Sequence, residues 1–279
     1  MTVRETAKER PLLIFFSLAY LFAWLSWLPL VLSQTGIGYL PVKIPMQYVV
    51  IGSYAPLFAA LFTQKLSKGN FIFFNFRFSW RAIIIGLLVG FALIASAFVI
   101  IPSAVLTIPP LSSLNWKAFS LYPSAIIHMI FFAAGPLGEE PGWRGFALPR
   151  LLKICSPFLA SLILGLLWFA WHLPLFLIPA WTSSPMIVYA ILVISFSFIM
   201  TFVYNISKEN IIIAIIMHAV FNSSPFVLNA FLANAKTKNF ISVELLLALS
   251  FLFVATMLLI LTRGKLGQVA VSIKRDITD

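Results

Sequence analysis

PLLIFFSLAYLFAWLSWLPLVL, the stretch from Pro11 to Leu32, contains no charged side chain. Such a run is too long for the core of a signal peptide and long enough to cross the hydrocarbon of a bilayer, so it should remain as a first transmembrane helix. The segment Met1 to Arg10 ahead of it is polar and mixed in charge. Further apolar runs follow at 46–64, 81–106, 119–138, 157–178, 186–206, 210–232 and 240–262, each close to the roughly 20 residues that a spanning helix needs. Between them lie separators with turn chemistry, among them Ser33-Gln34-Thr35-Gly36, Ser67-Lys68-Gly69-Asn70, Pro109-Pro110 and Ser183-Ser184-Pro185. The expected fold is all-α, a polytopic transmembrane bundle of eight helices. It forms a single integral membrane domain over 1–279, with its motif-bearing core at 119–232.

Composition agrees with that class. Of 279 residues, 61% are hydrophobic and 10% charged, with a mean hydropathy of +1.02, whereas a soluble domain carries about 25% charged residues. A formal charge of +11 does not indicate nucleic acid, because the basic residues sit in short clusters between apolar runs, which is how membrane proteins set their orientation. With the N-terminus in the cytoplasm, that side receives Arg4, Lys8, Arg10, Lys65, Lys68, Arg77, Arg81, Arg144, Arg150, Lys153, Lys208, Arg263, Lys265, Lys274 and Arg275. The other side receives only Lys43, Lys117, Lys236 and Lys238. The bias of 15 to 4 predicts a multi-pass protein of the cell membrane with both termini cytoplasmic. Cys155 is the only cysteine, so neither an intramolecular disulfide nor a cysteine-built zinc cage can form; it is expected to be a packed thiol near a helix end. The stretch Phe71 to Trp80, alternating in part between aromatic and polar residues, suits an anchor at the cytoplasmic headgroups.

Against this background, Gly138-Glu139-Glu140-Pro141-Gly142-Trp143-Arg144-Gly145 is the exception, since no other acidic residue occurs between Glu9 and Glu209. Ionisable groups at membrane depth are costly, and they mark functional sites when partners can be named. Adjacent glutamates on a helix point about 100° apart, which suits one for chemistry and the other for structure. Glu140 and Arg144 have the i,i+4 spacing of an ion pair, which leaves Glu139 as the free carboxylate. Pro141 either opens a new helix or kinks one that runs through. His172 and His218 each sit in an apolar run, where a lone histidine is more often a packing residue than a catalyst. Asn222, one turn after His218, shares its face, so the pair can present two neutral donors to one point, as an oxyanion requires, or can bond neighbouring helices. His128 is about 16 Å from Glu139 along a helix axis and is left out of the site. Glu244, near the outer end of the last run, reads as a carboxylate reaching water or Lys236 and Lys238.

Taken together, Glu139-Glu140-x-x-x-Arg144, Trp168-x-x-x-His172 and His218-x-x-x-Asn222, each on its own hydrophobic segment and in this order, resemble the CPBP family. These are the CAAX-protease and bacteriocin-processing intramembrane enzymes, also called the Abi family, which include the type II CAAX prenyl proteases. The resemblance covers Ile127 to Asn222 and implies an intramembrane endopeptidase that hydrolyses a peptide bond in a membrane-associated peptide or protein, prenylated proteins among the candidates. It further implies Glu139 as general base, His172 as its partner in holding the water, and His218 with Asn222 as oxyanion donors. Glu140, Arg144 and Trp168 would support them, with Trp168 standing where the family usually has Phe. No metal or other cofactor is required by that reading; were zinc used, Glu139, His172 and His218 would become its ligands. The partners expected are the peptide substrate and the lipid bilayer, with no nucleic acid.

Two other classes share these features. A non-catalytic immunity protein that binds a peptide would be betrayed by loss of a motif residue, and none is missing. A proton-coupled transporter would also use intramembrane Glu and His, but the chain shows no repeated halves. Straight helices would place the motif residues at different depths, so the stretch 139–155 is expected to dip into the membrane and line a cavity open to the cytoplasm.

Overall fold

The computed structural model describes residues 2–68, 76–100, 111–133, 135–234 and 242–268. The 71–75 part of the aromatic stretch, Pro109-Pro110, and Lys236 and Lys238 lie outside the described residues; Phe76 to Ser79 are irregular backbone ahead of a helix.

The described residues are helical and contain no strand. A short α1 (Val3–Glu9), opened by a capping box between Thr2 and Glu5, leads into α2 (Pro11–Leu32) with Pro11 at its first position. Then come α3 (Val49–Ser53), α4 (Ala55–Lys68), α5 (Trp80–Ile100), α6 (Tyr122–Phe131), α7 (Gly135–Gly142) and α8 (Leu148–Leu151). The last four are α9 (Pro157–Trp171), α10 (Met186–Ile206), α11 (Ile211–Leu232) and α12 (Val243–Leu261). Seven segments are long and apolar enough to cross a bilayer, and an eighth is obtained if the bent pair 116–131 and 135–151 is counted as one span.

Polarity is distributed as lipid solvent demands. Leu21, Leu25 and Leu28 on α2, Leu88 on α5, and Ile260 and Leu261 on α12 are exposed, while Ser161, Ser197, Thr201, Ser223, Ser224 and Ser250 are buried between helices. On α2 the inward stripe is Phe15, Ala19, Ala23, Trp27 and Leu30, one helical face. It meets the rings of Trp143 and Trp171. Ser197 on α10 donates to the Ser161 carbonyl of α9 at 3.0 Å. α11 is the most enclosed of the spans, packed by α5, α6 and α7.

The predicted fourth span, 119–138, is not one helix. α6 stops at Phe131, and the following helix, entered at Gly135 with Pro136 beside it, is inclined to it by 52°. Pro141 neither starts the new helix nor kinks the old one, for it sits inside α7 and is followed by a turn of π-helix over Trp143–Ala147, a widening that accommodates a missing N–H. As a result the segment 135–151 turns inward and is buried along most of its length, which is the dip the motif depths required. Arg144, counted from sequence among the cytoplasmic loop charges, is fully buried instead.

Two glycines permit this. A Cβ on Gly138 would lie 2.4 Å from the Ser53 carbonyl oxygen, and one on Gly142 would lie 2.5 Å from Pro56 Cβ. α7 is therefore seated against α3 and α4 at a separation that only glycine allows. Gly138→Ala is expected to lower stability by about 1–3 kcal/mol, seen as a reduced Tm in detergent; an unchanged Tm would contradict the close packing.

Candidate active site

α7 presents its two glutamates in different directions, as adjacent helical positions must. Glu140 turns into the protein, where its Oε1 accepts from Arg144 Nη1 at 3.1 Å and from His218 Nδ1 at 2.7 Å. All three side chains are almost entirely buried. The Arg144 guanidinium lies 4.2 Å from the centroid of the Trp168 ring, a cation–π arrangement that is strengthened when water is excluded. The expected Glu140–Arg144 pair is present. Its extension to His218, 78 residues further on, joins α7 to α11 and could not be read from spacing.

Glu139 faces the other way. Its Oε2 accepts from Trp168 Nε1 at 2.6 Å, and it lines a cavity of about 620 Å³ together with Trp168, His172, His218 and Asn222. The predicted residues thus meet in two groups, Glu139, Trp168, His172, His218 and Asn222 on the cavity and Glu140 with Arg144 behind it. His128 and Cys155 are not among the cavity residues; the Cys155 thiol is half-buried and donates to the Leu151 carbonyl.

The ring nitrogens can be assigned from their partners. His172, at the C-terminal end of α9, places Nδ1 2.8 Å from the Trp168 carbonyl oxygen. A carbonyl only accepts, so Nδ1 carries the proton and Nε2 keeps a lone pair. The ring is held among Trp171, Trp181 and Tyr189, at centroid distances of 4.8, 5.7 and 5.3 Å. His218 Nδ1 lies against a carboxylate oxygen that also accepts from Arg144, so there too Nδ1 donates. A neutral His218 would then have a lone pair on Nε2. The two neutral donors expected of His218 and Asn222 therefore become one neutral donor, Asn222, and a histidine that donates from Nε2 only as the imidazolium balanced by Glu140.

Sequence reasoning missed three contributors. Gly135 closes the floor between Glu139 and Asn222: a Cβ there would sit 3.1 Å from Asn222 Nδ2 and 3.3 Å from Glu139 Oε1. Its position one turn before Glu139 was a usable signal. Trp181 and Tyr189 enclose His172 from the far side, and no motif announces them. Trp168, expected as a supporting residue, is a hydrogen-bond donor to Glu139, which the Phe usual in the resembled family cannot be. Glu244 lines the cavity as well.

Among the described residues, no group of three or more His, Cys, Asp or Glu side chains is arranged to hold a metal ion. Each histidine, with Nδ1 on a protein acceptor, keeps Nε2 for the cavity.

Residues 129–224 match the family described as type II CAAX prenyl endopeptidase Rce1-like. The chain is also 27% identical over 237 residues to a CAAX prenyl protease 2 from Methanococcus maripaludis, an alignment covering 77% of this chain and 83% of the relative. The two matches bear out the CPBP, CAAX-protease-type family recognised in the motifs, and with the apolar spans they support a multi-pass membrane protease.

Two outcomes are expected of variants here. Arg144→Leu leaves the buried Glu140 charge without its guanidinium and should destabilise the protein by about 3–5 kcal/mol, whereas Arg144→Leu with Glu140→Gln should recover part of the loss in thermal unfolding. Trp168→Phe removes one hydrogen bond to a charged acceptor, worth about 1.5–3 kcal/mol, and should slow turnover by about 10-fold or more while the Tm stays within a few degrees; parental turnover would show that the indole N–H is idle.

Proposed function

We propose that this CPBP-type membrane protease is an intramembrane endopeptidase in which a water molecule, activated by Glu139, attacks a peptide bond of a membrane-associated peptide or protein. One observation carries the reading: Glu139, His172, His218 and Asn222 come from three separate helical segments and line a single cavity.

The assigned tautomers suit hydrolysis. A water between Glu139 and His172 Nε2 meets two acceptors, so both of its O–H bonds are engaged and a lone pair is left for the substrate carbonyl carbon. As the C–O bond forms, the water proton passes to the Glu139 carboxylate and the carbonyl oxygen becomes an oxyanion. Asn222 Nδ2 and the protonated Nε2 of His218 donate to that oxyanion, and Glu140 balances the imidazolium charge. Collapse of the tetrahedral species breaks the C–N bond, and the proton held by Glu139 goes to the departing amine. Every proton is accounted for within the site, and no step passes through a metal. Trp168 holds one Glu139 oxygen still, leaving Oε1 for the water.

Purified protein in proteoliposomes, incubated with a library of quenched peptides with and without a chelator, tests the proposal. Glu139→Gln keeps the shape of the side chain and removes the base, so cleavage should fall to background while the Tm remains that of the parent. Asn222→Ala should lower kcat by about 100-fold or more, the usual consequence of deleting an oxyanion donor. Cleavage retained by Glu139→Gln overturns the mechanism, and cleavage abolished by the chelator in the parent replaces it with a metal-dependent one.

A further inference from the structure

The cavity has a definite mouth. Beyond Trp171 and His172 it is lined by Pro179, Ala180, Trp181, Thr182, Ser183 and Ser184, of which Pro179, Ala180 and Ser183 are exposed. These residues follow the C-terminal end of α9 and precede the N-terminal end of α10. Glu244, in the first turn of α12, lines the same cavity.

Thr2 and Gln268, the ends of the described chain, are at the other end of these helices. α9 starts at Pro157, just after Arg150 and Lys153, and Ala7, Lys8, Pro11, Arg150 and Lys153 surround one surface hollow. α10 ends at Ile206, where Asn205 Nδ2 donates to the Leu266 carbonyl at 2.8 Å. α11 starts beside Asn210, whose Nδ2 donates to the Arg77 carbonyl at 3.0 Å. One face therefore gathers both ends of the described chain and most of its described basic residues, and the mouth of the cavity is on the opposite face. Two expectations from sequence, cytoplasmic termini and a cavity open to the cytoplasm, exclude each other.

Charge decides between them. With buried Arg144 set aside, the described residues put 12 Lys and Arg on the terminal face against Lys43 and Lys117 on the mouth face, and among the described residues no Lys or Arg lines the cavity. Basic excess in short loops marks the cytoplasmic side. We infer that the catalytic cavity opens away from the cytoplasm and takes its substrate from the extracytoplasmic side of the membrane. Resting on the protease reading above, the inference narrows the substrate to an exported peptide, or to a segment of a membrane protein that emerges on that side. A lipidated chain end held in the cytoplasm is excluded by it.

The single native thiol makes this testable in intact cells expressing the full chain. Cys155 lies on the terminal face, immediately before α9. Two further proteins carry one thiol each: Cys155→Ala with Gln268→Cys on the terminal face, and Cys155→Ala with Ser183→Cys at the mouth. A membrane-impermeant sulfonated maleimide is added before or after permeabilisation. The Ser183→Cys protein should be labelled fully in intact cells, and the Gln268→Cys protein at least tenfold more after permeabilisation, with any labelling of Cys155 following the second pattern. The reverse pattern, labelling of all thiols from one side, or a Ser183→Cys thiol that reacts under neither condition would each overturn the inference. Labelling requires no turnover, so a failure of the protease reading in the peptide assay is separable from a failure of this one.

Discussion

The buried contact of Glu140 with Arg144 and His218 is the constraint around which the rest of the site is arranged. Desolvating a carboxylate and a guanidinium is expensive, and the expense is offset only when the two meet with good geometry and further hydrogen bonds. Here Glu140 Oε1 accepts from both partners while Trp168 covers the guanidinium, and Glu140 Oε2 with Arg144 Nε and Nη2 are buried with no hydrogen-bond partner among the described residues. Because Arg144 is one turn from Glu140 and His218 is on another helix, the cluster fixes both the rotation of α7 and its contact with α11. The direction of Glu139 follows, since neighbouring positions on a helix diverge.

Backbone geometry provides the depth. A straight fourth span would carry Glu139 to the end of its helix and away from His172. The break after Phe131, the glycine-mediated seat of α7 on α3 and α4, and the π-helical turn after Pro141 bring the motif inside instead. Such backbone is tolerated at this depth because protein encloses it and it borders a cavity. His172 is reached from the opposite direction, at the very end of α9, so the cavity residues meet where an inward-turning segment approaches a helix terminus.

Much of this was legible in the sequence. The spans were, because a hydrophobic run is a local property, and so was the pairing of Glu140 with Arg144, because i,i+4 spacing is local too. The order of motifs carried the family resemblance, which the two matches support. What escaped depended on contacts between distant segments: the Glu140–His218 bond, the Trp168 N–H on Glu139, and Tyr189 and Trp181 around His172. The break before Gly135 escaped because hydropathy does not distinguish a straight helix from a bent one. Arg144 was misplaced for a related reason, since a charge near the end of an apolar run looks like a loop residue until its buried partner is known. That the mouth and the ends of the described chain lie on opposite faces escaped as well, because the depth of a site says nothing about which end of the bundle is open.

In the proposed mechanism Glu139 moves a proton for an attacking water and forms no bond to the substrate. A single turnover in ¹⁸O-labelled water, followed by mass spectrometry of both the product and the protein, tests this directly. General-base action by Glu139 puts one ¹⁸O atom in the new C-terminal carboxylate of the product and none in Glu139 or Glu140. Label in the Glu139 side chain, with ¹⁶O in the product, would reveal an acyl-enzyme formed on that carboxylate and would contradict it.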